Sequence, residues 1–440
     1  MSLSVGGPPR ILIVGGGYVG MYTALRLQSK LGQGDVSITV VDPQPQMTYQ
    51  PFLPEAAAGS IEPRHVVVPL RSVLRRCHVV CGRVTGVDHA HRFATIEHCT
   101  GQVEQLGYDV LVMAPGSIAR TLPIPGLAEH GIAFKTIGEA IYLRNHVLSR
   151  LENADTTTDP QLRRKLLSFV VIGGGYAGIE VLGELEDMAR YACRYYEAIE
   201  PTDLRWVLVE ATGRIMPEVS PKMGCYTVKR LAGRGIEIFL NTRVTTMEHG
   251  HVVLDDGTEF DADTIIWTAG VKANPVLQQT DLPLDDRKRL RCAATLQVVG
   301  HLGVFSAGDC AAVPDLTSAD PDATCSPSAQ HAVRQAKVLA DNVIAYLRGH
   351  PLRHYRHSYA GSVASLGLYR GVAEIYGIRL RGVVAWFMHR TYHLSRMPTF
   401  NRKVRIVADW TTALLFRREV VSLGQINDPK ADFARAHGSS

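Results

Sequence analysis

No stretch of this 440-residue chain approaches the roughly 18 uncharged apolar residues that a membrane-spanning helix needs, so no spanning helix is expected. No two of its eight cysteines form a CxxC, and cysteines scattered in this way are expected to be reduced core residues. Cys77 and Cys81 fall within one strand-like run and have only a weak claim on metal or redox chemistry. Neither sign of charge is in strong excess. Lys and Arg number 47 against 42 Asp and Glu, a formal charge of +5, which is too mild for a nucleic-acid binder. The N-terminus lacks a charged segment followed by an apolar one, so no signal peptide is read and a cytoplasmic location is expected. No Ser/His/Asp set or metal-ligand cluster has convincing spacing. What remains is a soluble globular composition at a length that implies two or three domains.

The first informative stretch is Val14-Gly15-Gly16-Gly17-Tyr18-Val19-Gly20. It follows an apolar run, Ile11 to Val14, that reads as a buried parallel strand, and it precedes helical periodicity over Met21 to Leu31. Gly15, Gly17 and Gly20 have the GxGxxG spacing. Their expected roles are a tight turn, close approach of a pyrophosphate, and close helix–strand packing, with the helix N-terminus facing the phosphates. The next strand-like run, Ile38 to Val41, ends in Asp42, whose carboxylate would accept a ribose 2′-OH. Residues 43–60 form a Pro-rich loop that turns small and helical. Phe93 to His98 and Val103 to Tyr108 alternate like a hairpin, and Tyr108 to Met113 leads into Ala114-Pro115-Gly116.

The pattern then restarts. Phe169 to Ile172 is a second buried strand, followed by Gly173, Gly175 and Gly178 at the same spacing and a helix from Ile179 to about Arg190. Trp206 to Val209 ends in Glu210, and Thr264 to Trp267 ends in Thr268-Ala269-Gly270. Two undecayed fingerprints imply two dinucleotides. Glu210 would bond a free 2′-OH and repel a 2′-phosphate, favouring NADH over NADPH, with Arg214 as the nearby residue able to alter that preference.

A late strand, His301 to Ser306, runs into Ala307-Gly308-Asp309. A first Rossmann half interrupted by a second resembles the two-dinucleotide flavoprotein oxidoreductases. The resemblance implies FAD in the first half, with Ala114 and Gly116 on its return strand and Asp309 on the ribityl chain. It sets FAD-binding residues at 1–130 and 293–345, NADH-binding residues at 131–292, and a C-terminal region at 346–440. The expected fold is α/β, with two Rossmann-like domains, the second inserted in the first, plus a C-terminal α+β region. Disulfide reductases of this group carry a Cys-x4-Cys pair after the first acidic residue, and residues 43–60 contain no cysteine.

Within the group the chain resembles the type II, non-proton-pumping NADH:quinone oxidoreductases. The matching segments are Tyr49-Gln50-Pro51-Phe52-Leu53-Pro54-Glu55-Ala56-Ala57-Ala58-Gly59, then Gly178 to Leu185 as GxExxGEL, and Trp267-Thr268-Ala269-Gly270-Val271. Ser328 to Gln335 is similar to the quinone-site AQxAxQ, but Arg334 replaces the second Gln and Gln335 lies one place later. On a helix Gln330 and Arg334 share a face, while Gln335 points elsewhere. The resemblance implies that Glu180 belongs to a network near the flavin, where it relays protons or gates nicotinamide. Its plain alternative is a first-turn carboxylate complementing the helix dipole. Gln330 and Arg334 are the residues expected at a membrane quinone.

From 377 to 418, arginines alternate with Val383-Val384-Ala385-Trp386-Phe387-Met388 and Trp410 to Phe416. That pattern suits an amphipathic element on an anionic membrane surface, on the inner face of the cell membrane, with a homodimer interface as a compatible alternative. Arg379 resembles the place where relatives carry a cation near the quinone. The expected activity is FAD-dependent oxidation of NADH with a quinone as acceptor. A soluble NAD(P)H:acceptor flavoprotein reductase and an FAD- and NADH-binding redox sensor with little turnover stand as alternatives.

Overall fold

The computed structural model describes residues 7–357, 361–416 and 418–422. Arg417 and the tail Ala434 to Ser440, read from sequence as frayed, lie outside the described residues. The chain divides into two compact units.

The first unit comprises residues 7–48, 67–120 and 271–357. Ile11 to Val14 are almost wholly buried, as a strand covered on both faces must be. They sit at the centre of a seven-stranded sheet ordered Val304–Ser306, Val110–Met113, Arg10–Val14, Ser37–Asp42, His78–Asp88, Phe93–His98, Val103–Gly107. The first five strands are parallel and the last two complete an antiparallel hairpin. Helix Tyr18–Lys30 packs on helix Ala329–Leu347. Arg26 bonds both oxygens of Asp341 at 2.8 Å, Lys30 adds a third bond, and the two cations hold the Asp341 carboxyl down at about 2.

Residues 271–292, assigned from sequence to the second half, pack in the first unit. Val271–Ala273 pairs with Ser117–Ala119, and the Asp281 carboxylate accepts the amides of His89 and Ala90. Pattern reading sees where a strand ends but not which sheet edge the following chain adopts.

The second unit comprises residues 49–66, 121–270 and 361–422. Its main sheet is parallel, ordered Gly131–Ala133, Thr264–Trp267, Ser168–Ile172, Arg205–Glu210, Glu237–Leu240. Phe169 and Trp206 stack at 4.5 Å on adjacent strands. Helix Ile137–Thr156 starts at a capping box in which Thr136 and Glu139 satisfy each other's backbone amides. The C-terminal part is a three-stranded antiparallel sheet (361–365, 371–375, 378–381) followed by helices Gly382–Arg396 and Phe400–Leu415. The fold is therefore α/β, with the second Rossmann-like body inserted in the first. Among the described residues no helix is long and apolar enough to cross a membrane.

Candidate active site

The two glycine loops are built alike, each within its own unit. In the first, Gly15 N–H donates to Val41 O at 2.8 Å and Ala114 N–H to Val14 O at 2.8 Å. In the second, Gly173 N–H donates to Val209 O at 2.9 Å and Thr268 N–H to Ile172 O at 2.8 Å. A Cβ on Gly20 would strike the Gly15 carbonyl, and one on Gly178 the Gly173 carbonyl, so these glycines permit helix–strand contact. A Cβ on Gly17 or Gly175 would meet nothing within 4 Å. The space over the middle of each loop is open at the N-terminus of helix Tyr18–Lys30 or Tyr176–Ala192, whose first amides lack intrahelical partners.

The acidic residues do more locally than sequence reading supplies. Asp42 accepts Gly16 N–H at 2.6 Å and Gln44 N–H at 2.7 Å. Glu210 accepts Gly174 N–H at 2.6 Å and both the amide and hydroxyl of Thr212 at 2.8 Å. Each carboxylate thus ties its strand end to the glycine loop and keeps acceptor capacity for a hydroxyl. Arg214 turns its guanidinium to the carbonyls of Met216 and Val219. In the first unit Ser117 Oγ donates to Asp309 at 2.6 Å, and Gly308 N–H donates to Gln335 Oε1 at 2.7 Å. Gln335 is buried there, which gives the displaced glutamine a structural task at the Gly-Asp turn. Gln330 and Arg334 share a face as expected, with Arg334 Nη1 donating to the Gln330 carbonyl at 3.1 Å and to its Oε1 at 3.4 Å. Gly116 and Gly270 each end a return strand with positive φ and open space around the missing side chain.

The second unit contains a buried charge cluster that sequence reading largely missed. Glu180 and Glu184, one turn apart on helix Tyr176–Ala192, are buried with Glu55 from helix Leu53–Ala57. Glu180 Oε1 accepts Ser365 N–H at 3.1 Å and lies 3.0 Å from His389 Nε2. That second approach, though within ion-pair distance, falls short of hydrogen-bond alignment. Burial opposes a charge on His389, but Glu180, with Glu55 and Glu184 beyond it, outweighs burial and raises its pKa. The neighbouring His393 is held well below its ordinary value by burial and by His389. Burial, reinforced by Glu55, pushes the Glu184 carboxyl up to about 7 against the pull of Arg418 and Arg390.

Glu55 Oε2 is the hub of this cluster. It accepts Trp410 Nε1 at 2.9 Å and pairs with Arg390 at 2.8 Å. The Arg390 guanidinium stands 4.1 Å from the Trp386 ring centre and 4.8 Å from that of Trp410. Tyr49 hydroxyl donates to the His393 carbonyl at 3.0 Å, and Phe52 meets Trp410 edge-on at 5.6 Å. The Pro-Leu-rich segment is thereby locked to the two C-terminal helices. Arg379, singled out from sequence, instead pairs with Glu374 at 3.3 Å on the closing hairpin. Among the described residues no His/Cys/Asp/Glu group could hold a metal ion.

The pyridine nucleotide-disulphide oxidoreductase family profile matches residues 9–336. Ndh of Mycobacterium tuberculosis, a type II NADH:quinone oxidoreductase, is 30% identical, covering 93% of this chain and 90% of that protein. The chain belongs to the type II NADH:quinone oxidoreductases. Another relative in sequence is the Synechocystis demethylphylloquinone reductase NdbB, 29% identical over 92% of this chain and 96% of its own. The fold matches NDH2 of Plasmodium falciparum in complex with NADH, with a TM-score of 0.85 at 17% identity, over 94% of this chain and 99% of that one. In a type II oxidoreductase two dinucleotides, FAD and NADH, must be held. The two open loops, each tied to an acid and each leading into a helix N-terminus, fit that requirement.

Proposed function

We propose that this chain oxidises NADH and, through FAD, reduces a membrane quinone without pumping protons. Two undecayed dinucleotide loops in one chain carry the reading. A disulfide reductase would need the cysteine pair that residues 43–60 lack, and an FAD- and NADH-binding sensor would show no fast multiple turnover with any acceptor. Gly15, Gly17, Gly20, Asp42, Ala114, Gly116 and Asp309 hold FAD. Gly173, Gly175, Gly178, Glu210 and Gly270 hold NADH, and the engagement of Arg214 within its own loop supports the preference for NADH over NADPH.

Bound FAD supplies the two-electron relay between nicotinamide and quinone. The chain's residues bind, orient and move protons. Reduction of a quinone by NADH consumes one proton beyond the hydride, so a buried proton-exchanging couple is useful. Glu180 with His389 is that couple, fixed by the Ser365 amide. Gln330 donates to a quinone carbonyl, and Arg334 beside it offers positive charge to the oxygen that becomes anionic.

Steady-state NADH oxidation with and without a short-chain quinone tests the reading. Turnover is expected to rise with quinone concentration. If quinone leaves the rate unchanged while a ferredoxin-like protein or a dye sustains fast turnover, the acceptor assignment fails.

The C-terminal helices are proposed to hold the enzyme to an anionic membrane surface. Their inner sides carry the buried cluster, and the residues left outside include Val383, Val384, Phe387, Val404, Leu414, Leu415 and Phe416. Phe400 is 80% and Leu415 74% exposed, and the same two helices carry Arg396, Arg402 and Arg405. Liposomes containing phosphatidylserine should carry the protein upward in a density gradient, and high salt should release part of it. Failure to float, with a stable dimer by sedimentation in lipid-free buffer, would assign this face to a second copy instead.

A further inference from the structure

The site above uses none of the cysteines, and they do not behave as one class. Cys193, Cys292, Cys310 and Cys325 are buried, as scattered cysteines are expected to be, but Cys99 and Cys225 are exposed and Cys77 and Cys81 partly so. Cys77 and Cys81, the nearest pair in sequence, make separate contacts: Cys77 Sγ with Gln28, and Cys81 Sγ with Cys99 at 3.0 Å.

The second contact follows from strand register. In the hairpin of the first unit Val87 faces Ala94 and Gly86 faces Thr95, but a bulge between Val84 and Gly86 shifts the ladder by one residue. Beyond the bulge Val84 faces Ile96 and Gly82 faces His98, so the next pair outward is Cys81 and Cys99. Without the bulge Cys81 would face Thr100, and Cys99 would point to the other side of the sheet. Residues directly opposed in an antiparallel pair have Cα atoms about 4.5–5.5 Å apart, within the roughly 4.4–6.8 Å that a disulfide spans. Bond formation therefore asks for side-chain rotation and little backbone movement. Cys81 also stands in parallel register with Asp42, and its sulfur lies 3.6 Å from the Pro43 carbonyl. The pair borders the strand end that carries the acid of the first glycine loop.

We propose that Cys81 and Cys99 form a reversible thiol–disulfide pair that closes on reaction with a low-molecular-weight disulfide. The exposed Cys99 thiolate attacks one sulfur of the small disulfide, whose S–S bond breaks to release the first small thiol. The Cys81 thiolate then attacks the Cys99 sulfur and displaces the second. The two protein thiols lose two electrons and two protons, and the small disulfide gains both as two free thiols. The order follows from access: Cys99 is exposed and Cys81 only partly so, so the small disulfide reaches Cys99 first. Closure pins the turn that follows Phe93–His98 to the strand beside Asp42.

The test treats the enzyme as purified with oxidised glutathione, then denatures, alkylates and weighs it. Two alkylatable thiols should be lost, with a mass lower by two hydrogen atoms, one cross-linked species joining the peptides of Cys81 and Cys99, and full reversal by dithiothreitol. Cys81→Ser should stop at glutathione on Cys99, and Cys99→Ser should give no cross-link. A persistent glutathione adduct on Cys99 in the wild type, a cross-link involving Cys225, or no oxidation at all would overturn the proposal. None of these readouts depends on which dinucleotide the neighbouring loop holds.

Discussion

Glu55→Ala is expected to destabilise the protein by about 3–5 kcal/mol, the usual cost of removing one member of a buried ion pair. Glu55 is 1% exposed and compensates Arg390, itself 7% exposed. Alanine would leave the guanidinium without its carboxylate and the Trp410 N–H without its acceptor. The two tryptophan faces around Arg390 soften this loss but cannot supply a negative charge. Glu55→Gln keeps an acceptor for Trp410 and should fall between wild type and alanine. Urea unfolding gives both values, and a cost below about 1 kcal/mol for alanine would show that the cluster does not hold the C-terminal helices. The pH dependence should change with it. Glu184 has a folded pKa above its ordinary value, so its contribution to stability is present at low pH and is lost as pH rises through about 7. His389, also raised, acts in the same direction, and His393, lowered, opposes it on the acid side. Without Glu55 one cause of the raised Glu184 and His389 values disappears, and the fall in stability towards neutral pH should flatten.

The second large effect is expected from Gly175→Val. The added side chain would enter space that is open in the structure, so the fold should survive, but on the proposed assignment it would occupy the place where a pyrophosphate approaches the backbone. We expect kcat/KM for NADH to fall by about 100-fold or more, equivalent to about 2.7 kcal/mol, with bound flavin retained. Gly17→Val should do the converse and yield protein depleted of flavin. Flavin absorbance and single-turnover reduction by NADH separate the two. Normal NADH reduction in Gly175→Val would remove NADH from this loop. Gly173 and Gly178 are poorer probes, since a Cβ there collides with backbone or with Thr268, and lost activity would only report lost packing.

Much of this architecture is legible in the sequence because it is local. A buried strand, a glycine turn, a helix and an acid within about forty residues carry their own periodicity, and repetition of the set fixes the α/β class. The charge cluster is not legible in that way. Glu55 meets Trp410 across 355 positions, and no spacing rule connects them. Sequence reading saw Trp386 and Trp410 as surface aromatics, but their inner sides clamp Arg390 and only the remaining apolar residues face outward. Helix phase sets Gln335 apart from Gln330 in the sequence, but only the structure shows that this phase delivers it to the Gly308 amide. Cys81 and Cys99 meet through a single bulge, a feature that composition does not announce.

The tie between each acid and its glycine loop bears on how this enzyme could change its coenzyme. A switch to a phosphorylated ribose would require Glu210 to be replaced by a neutral or basic residue. The same replacement would strip the acceptor from the Gly174 amide and from both donors of Thr212, loosening the loop that must hold the new coenzyme. On the proposed assignment of NADH to this loop, selectivity and the rigidity of the loop would reside in one carboxylate. A viable route to NADPH would have to pass first through substitutions that give those donors another acceptor, and single replacements of Glu210 should weaken binding of both coenzymes before favouring either.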